Sequence, residues 1–140
     1  MRTISTSVMI QAPPQTIWDL LTDAPAYASW NSTVTKVDGA IAPGARITVH
    51  ATISPERAFP VRVAELVPGA RMVWRGGLPL GFLFRGVRTF TLAPRGDGSV
   101  EFTMTEVFSG LFAGLIGRSM PDLQPAFDEF AACLKRRAEA

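Results

Sequence analysis

Residues 84–108 read FRGVRTFTLAPRGDGSVEFTMTEVF, two alternating arms about a Gly96-Asp97-Gly98 turn. On the second arm Val100, Phe102, Met104 and Phe108 fall on one face and Glu101, Thr103 and Thr105 on the other. That period of two marks a half-buried strand, and the glycine-aspartate turn joins it to the first arm as an antiparallel hairpin. Setting Leu92 opposite Val100 puts Phe90 opposite Phe102, Arg88 opposite Met104 and Gly86 opposite Glu106. Glu106 then stands as an acid on an otherwise apolar inner face, with Arg88 diagonally across from it. A lone carboxylate there is costly, so it must be paired or protonated. Three roles follow: a structural ion pair with Arg88, a polar anchor for a ligand, or a general acid with a raised pKa.

Outward from this hairpin the same alternation recurs. Strands are expected near 2–11, 33–38, 45–53, 58–67 and 71–75, ahead of 84–94 and 98–108. The breaks between them are turn formers such as Asp38-Gly39, Pro43-Gly44, Ser54-Pro55, Pro68-Gly69 and Gly76-Gly77. After the first strand Pro13-Pro14 opens a short helix whose stripe is Ile17, Leu20 and Leu21, with Trp18 read as core. Asp23-Ala24-Pro25 ends it, and Tyr27 to Trp30 reads as one further turn. From Leu111 the period becomes helical, with Leu123, Phe127, Phe130 and Leu134 on one face. Short, regularly spaced strands without intervening helices make an antiparallel meander. The expected class is α+β: a curled seven-stranded antiparallel sheet around a long C-terminal helix, with two short helices between strands 1 and 2. Residues 1–140 form one domain.

Composition narrows the function. Hydrophobic residues make up 47% of the 140, enough for a real core. The formal charge is +2, and the 12 arginines and two lysines are scattered rather than gathered in a stripe, which argues against nucleic-acid binding. Lys135-Arg136-Arg137, the one tight basic run, suits the negative end of the last helix. Cys133 is the single cysteine and reads as a small core residue. Neither a signal-peptide pattern nor an apolar run of about 20 residues appears, so a cytoplasmic protein without stable membrane insertion is expected. His50, the only histidine, alternates outward from Ile47, Val49 and Ala51 and reads as a surface residue, whereas a catalytic base needs a partner to orient it. We expect no metal and no cofactor: there is no ligand cluster, P-loop, dinucleotide fingerprint or Ser/His/Asp constellation.

The chain resembles the START/polyketide-cyclase superfamily and its helix-grip fold. The carriers are Val8-x-Ile10-x-Ala12-Pro13-x-x-x-Ile17-Trp18-x-x-Leu21-x-Asp23, then Tyr27-x-x-Trp30-Asn31, Val73-Trp74, Phe90-x-Leu92, and Glu106-x-Phe108-Ser109-Gly110 before the last helix. The resemblance covers nearly the whole chain and implies a domain that holds a lipid, polyketide or other apolar molecule. A minority of such domains are cyclases, dehydratases or co-chaperones. The chain departs from the pattern at Pro121 and Pro125, where the last helix either bends or divides.

Together these readings predict an internal cavity between sheet and last helix. Its expected ligand-binding wall comprises Trp30, Phe59, Val61, Val63, Met72, Trp74, Arg88, Phe90, Phe102, Met104, Glu106, Phe108, Leu123, Phe127 and Phe130. Should the cavity host a cyclase or dehydratase reaction, Glu106, Arg88 and the phenol of Tyr27 are the candidate acid–base groups. Two apolar segments, 78–84 and 111–116, should emerge at one end of the sheet. There Leu80, Phe82 and Phe84 with Phe112, Leu115 and Ile116 would form a lid over the mouth, with a fixed plug or a homodimer contact as the alternatives.

Overall fold

A computed structural model describes residues 2–77 and 80–140; Leu78 and Pro79, the start of the expected lid, lie outside them. The elements follow the expected order: β1 (Arg2–Ile10), α1 (Pro14–Thr22), a 3-10 turn (Ala24–Ala26), α2 (Tyr27–Trp30), β2 (Val34–Asp38), β3 (Arg46–Ala51), β4 (Ala58–Val67), β5 (Arg71–Gly77), β6 (Arg85–Pro94), β7 (Val100–Ser109), α3 (Ala113–Ser119) and α4 (Gln124–Glu139). The strands form one antiparallel sheet in the order β1-β7-β6-β5-β4-β3-β2. The first strand therefore pairs with the last, and α4 returns across the concave face. This is the helix-grip, α+β architecture.

The hairpin register differs from the expected one by two residues. Leu92 pairs with Phe102, Phe90 with Met104, Arg88 with Glu106 and Gly86 with Phe108. The cause is the turn: Arg95 N donates to Ser99 O at 2.8 Å, so the loop is residues 96–98, centred on Asp97 and not one residue earlier. Gly98, at φ 89°, supplies the left-handed residue, and Asp97 Oδ1 accepts from Ser99 N at 3.0 Å. A shift of two preserves the parity of the strand, so every side chain keeps its expected face. It does move Arg88 from a diagonal position to one directly opposite Glu106. In β4 a bulge between Val63 and Glu65 lets Val61 and Val63 face inward before it and Leu66 after it.

The C-terminal helix is two helices. Met120 is extended at φ −79° and ψ 141°, as the residue before Pro121 must be, and this ends α3. Pro125 lies in the first turn of α4, where its missing N–H leaves no hydrogen bond unmade. The buried stripe of α4 includes Phe127, Phe130, Cys133 and Leu134. Phe130 is the hub of the core: its ring lies 5.7 Å from Trp30, 6.1 Å from Phe90, 6.2 Å from Phe102 and 6.4 Å from Tyr27. Trp18 is buried as expected, and Cys133 is 3% exposed. His50 faces outward, with Nε2 3.1 Å from Asp38 Oδ2. No helix among the described residues is long and apolar enough to cross a membrane.

Candidate ligand-binding cleft

Helix α4 packs chiefly along β1, on one side of the curled sheet. The opposite side, β3 to β5, is left with inward-facing residues that the helix does not cover. The result is a cleft of about 1050 Å³. Its floor is the inner face of β3 to β7, and its far wall is the N-terminal half of α4 with the Met120-Pro121 break and Ile116 of α3. Of the expected wall, Phe59, Val61, Trp74, Arg88, Met104, Glu106, Phe108, Leu123, Phe127 and Phe130 line it.

The other expected residues belong to the core beneath. Val63, Met72, Phe90 and Phe102 are fully buried at 0% exposure and do not line the cleft, and neither does Trp30. Alternation assigns a side to a strand residue but not a depth; depth depends on where α4 crosses. Residues the sequence reading missed include Val34, Val49, Ile53, Met120 and Ala126. Val49 shares the inner face of β3 with Ile47, and that alternation was a signal available in the sequence. Met120 and Ala126 reach the wall because the helix divides, a choice the sequence alone left open.

The register fixes the chemistry of the floor. Trp74, Arg88 and Glu106 are successive cross-strand partners on β5, β6 and β7, so three polar-capable side chains form one row. Arg88 Nε donates to Glu106 Oε1 at 2.7 Å, with the two side chains 24% and 14% exposed. The Arg88 guanidinium also lies 4.8 Å from the centroid of the Phe127 ring. The next row toward the open end is Gly76 and Gly86, which are likewise paired. Neither has a positive φ; what they provide is room. A Cβ on Gly86 would stand 2.9 Å from Glu106 Oε2 and 3.2 Å from the Phe108 ring.

Tyr27 is removed from the acid–base candidates. It is fully buried and absent from the cleft wall, and its hydroxyl donates to Leu21 O at 2.6 Å. Burial raises its pKa above the ordinary tyrosine range, against a smaller opposing pull from Arg88. Such a phenol is a fixed donor bracing α1 against α2.

The two apolar segments do emerge together. Leu111 N donates to Phe82 O at 3.0 Å and Phe112 N to Leu83 O at 2.7 Å. Gly110, at φ 111°, permits this approach, since a Cβ there would be 2.6 Å from Leu83 O. Only Phe84, stacked on Phe108 at 5.8 Å, and Ile116 reach the cleft. Leu80, Phe82, Phe112 and Leu115 do not line it and are exposed.

A curled seven-stranded sheet with the C-terminal helix across its mouth defines the helix-grip fold. The chain belongs to the family described as polyketide cyclase / dehydrase and lipid transport, which matches residues 1–139. Among solved structures it is similar to the Zhui aromatase/cyclase of Streptomyces sp. R1128, at 14% identity and TM-score 0.75 over 99% of this chain and 93% of that one. It is similar also to a START superfamily protein of Mycobacterium smegmatis, at 16% identity and TM-score 0.70 over 98% and 97% of the two chains. A hypothetical protein of Helicobacter pylori superposes with TM-score 0.80 at 14% identity, covering 98% of this chain and 88% of that one. No curated protein matches the sequence.

Proposed function

We propose that this protein binds a small, largely apolar molecule in the cleft between β3–β7 and α4. The observation that carries the reading is the cleft wall: mostly aliphatic and aromatic side chains, with the Trp74, Arg88 and Glu106 row on its floor and Thr33, Ser54, Glu56 and Arg57 also in the lining. The family, which joins cyclases, dehydrases and lipid transport, is consistent with it. Binding is favoured over acid–base catalysis because both candidate acids are engaged. Glu106 is held by Arg88, and the Tyr27 hydroxyl by a backbone carbonyl. The zipped apolar tip formed by residues 80–84 and 110–116 serves as the rim through which the ligand passes, with Phe84 and Ile116 turned inward.

Filling the cleft tests this. Ala126 lies on the α4 wall and is only partly buried, so Ala126→Trp adds bulk to the cleft at little risk to the core. The neutral apolar dye Nile red should bind the wild-type protein saturably, and Ala126→Trp should weaken that binding at least about tenfold, near 1.4 kcal/mol. Equal affinity for the two proteins, at unchanged melting temperature, would remove the cleft from the account.

A further inference from the structure

Trp74 is 3% exposed, lines the cleft, and has an indole Nε1–H with no acceptor among the described residues. An indole nitrogen can only donate, and a buried donor left without a partner is expensive, so such a group in a native wall calls for an explanation. Its row partner Arg88 gives Nε to Glu106, while its two Nη groups have no acceptor among the described residues. Beside this row the paired glycines Gly76 and Gly86 let Val61, the Glu106 carboxylate and the Phe108 ring pack close against the sheet. Two side chains of one row in the cleft lining thus keep donors that no protein acceptor engages.

We infer that the Trp74 indole N–H, supported by the free edge of Arg88, is the hydrogen-bond anchor of the ligand, and that the ligand carries a neutral acceptor oxygen such as a carbonyl. The inference rests on the binding function proposed above. Neutrality follows from the charge of the wall. Its ionisable side chains are Arg57 and Arg88 against Glu56 and Glu106, two of each sign. A carboxylate would bring an uncompensated charge beside Glu106, whereas a ketone, ester or amide oxygen satisfies the indole without one. Glu106 thus acts as a positioning residue that holds Arg88 through Nε and cancels its charge.

The test uses three molecules of one skeleton: 2-acetonaphthone, 2-ethylnaphthalene and 2-naphthoate. Calorimetry and indole N–H resonances are followed in the wild-type protein and in Trp74→Phe. The ketone should bind about 3–10 fold more tightly than the hydrocarbon, the range of one net hydrogen bond, and the carboxylate more weakly than the ketone. Only the ketone should move one indole proton downfield, and Trp74→Phe should abolish that resonance and equalise ketone and hydrocarbon. Trp30, whose Nε1 is also without an acceptor but lies outside the cleft wall, is the internal control and should not respond to the carbonyl. Equal binding of ketone and hydrocarbon by the wild-type protein, tightest binding of the carboxylate, or a response at Trp30 alone would each overturn the inference while leaving an apolar binding site intact. Failure of all three molecules to bind would count against the binding function itself and remove the anchor with it. Should Trp74→Phe fold poorly, the wild-type resonances still decide, with Trp18→Phe and Trp30→Phe assigning them by elimination.

Discussion

Replacing Glu106 and Arg88 singly and together measures how firmly the floor of the cleft is tied. The pair is close, at 2.7 Å, and its side chains are 14% and 24% exposed. Removing one member of a fully buried pair costs about 3–5 kcal/mol, because the survivor is left charged and unmatched. Here both groups border a cleft of about 1050 Å³, into which water can relax. Glu106→Gln retains an oxygen that accepts from the guanidinium, so its cost should be about 1 kcal/mol. Arg88→Met strands a carboxylate on an apolar face and should cost about 2 kcal/mol. In the double variant neither charge is stranded and methionine fills the volume beside Phe127. The coupling should therefore be at least about 1 kcal/mol, and the double variant should be little worse than Glu106→Gln alone. Urea unfolding of the four proteins at neutral pH gives these values directly. Losses that add to within about 0.5 kcal/mol would show that the two groups do not act as a pair and would undo the reading of the floor.

Tyr27 is the only tyrosine, so its ionisation can be followed without interference. Burial raises its pKa in the folded protein above the unfolded value of 10.0. The unfolded chain thus loses this proton first, and stability present below that pH should fall by about 1.4 kcal/mol per pH unit above it. Tyrosinate absorbance should appear only together with loss of helical circular dichroism; absorbance rising first would contradict the buried Leu21 contact. Phe82→Ser combined with Phe112→Ser should change stability by less than about 1 kcal/mol, since both side chains are exposed. Stopped-flow release of Nile red should be faster in that variant if the tip is the rim of the cleft, and an unchanged rate would show that ligand passes elsewhere. In sedimentation, conversion of a wild-type dimer to monomers by the same double change would mark the tip as a contact between copies instead.

Much of this was legible in the residues because it depends on parity. The alternation of Val100, Phe102 and Met104 fixed which side of β7 faces the helix, and no error of register by two could alter it. The division of α3 from α4 was foreshadowed by Pro121 and Pro125. What remained hidden depends on geometry between elements. Phe90 and Phe102 share a face with Met104, yet they are sealed under Phe130 while Met104 reaches the cleft. The opposition of Arg88 and Glu106 turned on the hairpin being centred on Asp97 and not Gly96, which local sequence underdetermines. The unmatched indole of Trp74 is an absence of contact, and no sequence pattern announces an absence.

Native mass spectrometry of the purified protein tests the central claim most directly. The account predicts a complex with one small, neutral, apolar molecule per chain, taken up during expression or on adding 2-acetonaphthone. That complex should be depleted in Ala126→Trp. A wild-type protein that keeps its fold, carries no small molecule and takes up none when offered would contradict the account.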